Sequence, residues 1–140
     1  MKAVVINSDG TKKVVEFDRE NSYTTFRDVC EGHIQQAPLD NIGVCMYVNE
    51  EGKIYSLPQN PIATSLWVDQ WAETDYMSGN VICTNLEVDD EGYEIGLTDD
   101  QIAYLMAYER TADLLLDAKG KPIFIYGGEK PTISPLPVKE

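Results

Sequence analysis

The sequence predicts an α+β domain: a small antiparallel or mixed sheet built from hairpins, with one short N-terminal helix and one long C-terminal helix. Three observations carry this expectation. Short apolar runs flank three turns that each end in an acid followed by glycine, at Asp9-Gly10, Glu51-Gly52 and Glu91-Gly92. Phe26, Val29 and Cys30 recur at helical spacing. Thr98-Asp99-Asp100-Gln101 has the spacing of a capping box and opens a long apolar-periodic segment. A chain of 140 residues fits one domain. Its 43% hydrophobic content, with eight Tyr, three Phe and two Trp, fills a core without a metal or a disulfide.

In chain order, residues 2–7 and 12–18 read as the first hairpin, with Gly10 free to take positive φ in the turn. Thr25 is placed to cap a helix of about two turns, which Gly32 ends. Residues 33–39 return as a strand interrupted by Pro38, which belongs at an edge or at a strand end. Hairpin, helix, strand is a β-grasp-like start, by fold analogy alone. Residues 43–49 and 53–57 read as a second hairpin, and residues 80–88 and 93–97 as a third. Between them, Pro58 and Pro61 forbid a central strand, and residues 62–71 suit a helix with Trp67 and Trp71 on one face.

After the capping box the longest helix is expected over 99–118, stopping at Gly120. It carries two stripes, one through Ile102, Leu105, Met106, Ala112 and Leu116, the other through Tyr104, Ala107, Tyr108, Thr111 and Leu115, and so reads as apolar on two faces. Such a helix is well buried or meets another chain, so it is a candidate homodimer surface. Residues 122–126 read as a last strand. The domain is expected over 1–126, with 127–140 as an extended, proline-rich tail.

Charge narrows function further. The chain carries a net −13, and between Lys53 and Arg110 there is no Lys or Arg. Residues 54–109 hold eleven acids, so nearly all the net charge sits in one stretch. Direct binding to nucleic acid or to an anionic membrane is disfavoured. No apolar run is long enough to span a bilayer or to act as a signal segment. The three cysteines Cys30, Cys45 and Cys83 are odd in number and widely spaced, which reads as reduced, cytoplasmic usage.

No phosphate-binding loop, dinucleotide fingerprint or serine elbow is present. His33 is the only histidine, and Cys30-Glu31-Gly32-His33 lacks the second pair a zinc site needs. A Cys–His nucleophile would require Cys45 or Cys83 to meet His33 in space. Residues 87–98 imitate a calcium loop, but Thr98 stands where the bidentate Glu belongs. No catalytic residue, metal ligand or cofactor is therefore expected.

The candidate binding residues are Asn60, Trp67, Trp71, Glu87, Asp89, Asp90, Glu91 and Glu94. Asn60, between two prolines, offers donors and an acceptor to a ligand or to its own loop. The tryptophans suit partner anchors or core caps. The five acids are expected to project from a hairpin as one exposed face, which either solvates the protein or docks a basic partner.

The strings Val48-Asn49-Glu50-Glu51-Gly52-Lys53 and Leu57-Pro58-Gln59-Asn60-Pro61-Ile62-Ala63-Thr64 resemble domain of unknown function family 3846, found in phages, plasmids and bacteria. Gly79-Asn80-Val81-Ile82 and Leu97-Thr98-Asp99-Asp100-Gln101 add to the resemblance, which covers roughly residues 1–115. Residues 67–77 and the tail depart from the family pattern. The resemblance implies a small accessory protein of mobile elements and supplies no catalytic residues. The leading expectation is a non-enzymatic protein that binds a protein partner through its acidic surface. Other readings are an acidic DNA mimic or ligand-sequestering counter-defence protein, a small-ligand binder around Asn60 and the tryptophans, and a small enzyme without a local motif. Against mimicry, the average acid density falls on the order of threefold below that of duplex DNA.

Overall fold

All six residues of the strand Val44–Asn49 are buried, and the reason sets the architecture. This computed structural model, which describes residues 1–137, places helices on both faces of one sheet. Val44, Met46 and Val48 point to one face, and Cys45 and Tyr47 to the other, so the period-2 alternation of a strand feeds two cores.

The strands are β1 (Lys2–Ile6), β2 (Lys12–Glu16), β3 (Ile34–Leu39), β4 (Val44–Asn49) and β5 (Val81–Asn85). Their order is β2-β1-β5-β4-β3, and every pairing is antiparallel. The alternative of a mixed sheet is thereby settled. Helix α1 (Ser22–Cys30) covers one face, where Phe26 stacks on Tyr47 at 4.7 Å and meets Phe17 edge-on at 5.3 Å. The first hairpin packs against this helix through Ala3 and Val5. Helices α2 (Pro61–Trp71) and α3 (Asp99–Ala107) cover the other face with Ile62, Ala63, Leu66 and Leu105. A separate two-stranded sheet, β6 (Thr111–Leu116) with β7 (Pro122–Gly127), leans on α2 through β6.

Several local expectations are corrected. Helix α1 begins at Ser22 behind Asn21, not at a Thr25 cap, and ends on Glu31 at φ 62° rather than on Gly32. Residues 53–57 form turns rather than a strand, leaving Ile54 and Tyr55 at 77% and 66% exposure. The second hairpin fails because β3 and β5 occupy both edges of β4. The third is reduced to one bridge, Val88 to Glu94, because β5 pairs along its length with β1 and β4.

The largest correction concerns the long C-terminal helix. The capping box forms as expected: Gln101 N–H donates to Thr98 Oγ1 at 3.1 Å, and Thr98 N–H to Gln101 Oε1 at 2.9 Å. The helix nevertheless stops at Ala107, and residues 111–116 are a strand. Lys12, on the neighbouring hairpin, explains the stop. Its ammonium, with a side chain only 6% exposed, donates to the Met106 carbonyl at 3.2 Å and to the Tyr108 carbonyl. A cation there satisfies carbonyls that the last turn leaves open and complements the helix dipole. The 99–118 helix offered as a homodimer surface therefore does not exist as one helix.

Candidate functional site

Asn60 is wholly buried, and its side chain is committed inside the fold. Its Oδ1 accepts from Ala63 N–H at 3.1 Å, capping α2, and its amide donates to the Ile6 and Gly79 carbonyls, both at 2.9 Å. Pro61 follows at the first helical position, where its missing N–H costs nothing.

Trp67 and Trp71 share a face of α2, with ring centroids 5.8 Å apart. Trp67 donates to Thr74 Oγ1 at 2.9 Å, and Trp71 to the Pro38 carbonyl at 2.8 Å. Trp71 thus covers one end of the outer edge of β3. The rest of that edge is open. Glu50 N–H donates to the His33 carbonyl at 2.8 Å. By antiparallel alternation, Gln35, Ala37 and Leu39 bond to β4, and the backbone groups of Ile34, Gln36 and Pro38 face outward. Among the described residues, no hydrogen bond reaches the backbone of Ile34 or Gln36 from that side.

Beside this edge lies a cavity of about 110 Å³. Ala37, Val48, Met77 and Trp67 give it an apolar lining, and Gln35, Glu50, Lys53 and Asp75 a polar one. Lys53 pairs with Asp75 and lies 4.4 Å from the Tyr76 ring centroid. Both charged side chains are nearly half exposed, so the pair contributes little stability, about 0–1 kcal/mol, and an incoming charged group can separate it.

Of the five acids, Glu87, Asp89, Asp90 and Glu91 are exposed on the turn after β5, and Glu94 is half-buried. Asp89 builds its own turn, accepting from Glu91 N–H at 2.9 Å and Tyr93 N–H at 3.0 Å. The Tyr93 bond is the first cause holding its carboxyl below the usual range. Glu91 pairs with Arg19, which stacks 3.8 Å from the centroid of the Tyr93 ring. Glu94 accepts from the Tyr47 hydroxyl at 3.1 Å, and that hydroxyl accepts from Gln36 Nε2 at 3.2 Å. This chain joins the acidic turn to the β3 edge. Glu87 and Asp90 are exposed and make no side-chain bond among the described residues.

Asp69 was not foreseen from sequence. Its carboxylate, 8% exposed, lies 3.1 Å from both Arg110 and Lys130 and accepts from the Tyr108 hydroxyl at 2.6 Å. Tyr108 in turn meets Ser65 Oγ at 2.7 Å. Burial pushes the Tyr108 hydroxyl strongly upward, with Asp69 adding to the shift. Ser65 is buried, and the network fastens the C-terminal hairpin to α2. The thiols are inert. All three are buried, and desolvation pushes Cys45 up to about 11 and Cys30 up to about 12, the reverse of an activated nucleophile. His33 is exposed, whereas the three sulfurs are buried. Among the described residues, no three His, Cys, Asp or Glu side chains gather as a metal site.

Fold and site together define a three-layered α+β domain with an open sheet edge beside a small amphipathic cleft. The chain belongs to the family described as domain of unknown function DUF3846, which it matches over residues 1–111. Nearly all of β6 and the whole of β7 lie beyond that match. No curated protein and no solved structure matches the chain. Among the described residues, no helix is long and apolar enough to cross a membrane.

Proposed function

We infer that this protein is a non-enzymatic accessory protein of a phage or other mobile element, which acts in the cytoplasm by binding a protein partner. The partner lays an extended, basic segment along the outer edge of β3. The observation that carries this reading is the open edge at Ile34 and Gln36 directly beside the cleft. Backbone groups there offer strand addition, and the cleft receives one side chain of the added segment. Glu50 and Asp75 beside the edge, and Glu94 two hydrogen bonds away on the other face, favour a basic occupant. The net charge of −13 favours the same sign of partner and steers its approach.

The test uses Gln36→Pro. Pro38 already sits two residues along the same edge, so proline at 36 removes an outward N–H, together with the Gln36–Tyr47 side-chain bond, without breaking the backbone pairing to β4. A partner isolated from host lysate should bind wild type in a salt-sensitive manner and lose most of its affinity for Gln36→Pro, while the circular dichroism of the variant is unchanged. A partner that binds both proteins equally would place the contact elsewhere. A stoichiometric co-purifying metabolite in the cleft would replace the protein-binding reading with a small-ligand one.

A further inference from the structure

Among the described residues, the β6–β7 hairpin leaves one strand edge open and, on one face, three exposed apolar side chains beside Asp113. Asp117 N–H donates to the Lys121 carbonyl at 2.8 Å, which places Asp113, Leu115, Ile123 and Ile125 in bonded pairs within the hairpin. The backbone groups of Leu114 therefore face out from β6, and those of Phe124 and Tyr126 face out from β7. On the β6 side the middle of the edge is closed. Gln59 donates its amide to the Leu114 carbonyl at 2.9 Å and accepts Leu114 N–H at 3.0 Å, acting as a one-residue strand. On the β7 side, among the described residues, nothing outside the hairpin bonds the backbone of Phe124 or Tyr126. Leu115, Ile123 and Ile125 lie on one face at 52%, 37% and 47% exposure.

We propose that β7 pairs with β7 of a second copy of this chain, antiparallel about a two-fold axis at Ile125, to make a four-stranded intermolecular sheet. Three features select a second copy as the occupant. A two-fold axis necessarily sets a strand antiparallel to itself, so an open edge is complementary to its own copy. The outward groups have the right spacing: Phe124 of one copy bonds Tyr126 of the other, twice, which gives four hydrogen bonds around the axis. The hairpin is also electrically neutral, since Asp113 and Asp117 balance Lys119 and Lys121. Two chains of net charge −13 can meet there at less repulsion than on any face of the acidic segment.

The side chains agree with this register. Phe124 and Tyr126 oppose one another as aromatic cross-strand pairs on one face. On the other, Ile125 faces Ile125 of the partner in a non-hydrogen-bonded pair, the geometry that brings side chains closest. Pro122 has no N–H to extend the ladder, so the pairing ends where the strand begins. A paired edge about 20 Å long is a small interface, so the dimer is weak and reversible, dissociating in the micromolar range.

The test reads mass against concentration by sedimentation equilibrium for wild type, Ile125→Lys and Ile125→Glu. Residue 125 is exposed in the monomer, but Asp113 lies opposite it in the same hairpin, so Ile125→Glu meets a like charge there and Ile125→Lys an opposite one; circular dichroism checks that both variants keep the fold. Wild type should dimerise with rising concentration, and each variant alone should bind itself at least about tenfold more weakly, because like charges oppose across the axis. Mixing the two variants should restore a heterodimer, an outcome that only a self-apposed position 125 gives. Wild type that stays monomeric up to about 500 µM overturns the proposal, as does a dimer that both variants leave unchanged. The result is independent of whether β3 binds a partner.

Discussion

Asn60→Ala tests whether this residue is a structural bracket rather than a ligand contact. The substitution removes three hydrogen bonds at a fully buried position. Loss of the α2 cap costs about 1 kcal/mol. The Ile6 and Gly79 carbonyls each lose a donor, at about 1 kcal/mol apiece, the low end of the range because a carbonyl retains a second lone pair. The sum is about 3 kcal/mol, a large part of the 5–15 kcal/mol typical of a domain, and it lowers Tm by about 10 °C. Asn60→Asp should be worse. It keeps the acceptor for Ala63 N–H but turns an oxygen toward two carbonyl oxygens, so a carboxylate must be buried against them or protonated. Urea unfolding followed by tryptophan fluorescence measures both, as a lower midpoint at unchanged slope. If Asn60→Ala stays within about 0.5 kcal/mol of wild type, or Asn60→Asp is no worse than Ala, the bracket argument fails.

Lys12→Met keeps an apolar stem but removes the cation at the end of α3, and should cost about 2–3 kcal/mol. Hydrogen exchange should show the last turn of α3 opening first; uniform protection along α3 would refute the capping role. The cysteines predict reactivity and pH dependence together. A thiol reagent at pH 8 should label none of the three quickly in the native protein and all three in urea. Since burial raises Cys45 to about 11 and Cys30 to about 12, their contribution to stability is complete below the unfolded thiol value. It is lost as pH rises above that value toward the folded ones, so the urea midpoint should fall above about pH 9. Native labelling at pH 8 would contradict the burial.

Local signals in the sequence determined much of this protein. The first hairpin, the strand around Pro38, the helix over residues 62–71 and the capping box at Thr98 all follow from residues within a few positions of one another. Such features form because short-range sterics and hydrogen bonds leave few alternatives. The misses share the opposite cause. Residues 99–118 have the periodicity of one helix, and nothing local marks Ala107 as its end; Lys12, ninety-four residues from Met106, does. Residues 53–57 read as a strand, yet β4 had already filled both edges with β3 and β5. The acidic turn was legible as a turn, but the pairing of Glu91 with Arg19 and of Glu94 with Tyr47 depends on how α1 and the sheet meet. The cleft was equally hidden, because strand β3, helix α2 and residues 75–78 become neighbours only when the sheet assembles. Propensity and capping fix elements one at a time, whereas edges, clefts and ion pairs belong to pairs of elements, and only tertiary packing decides which pairs meet.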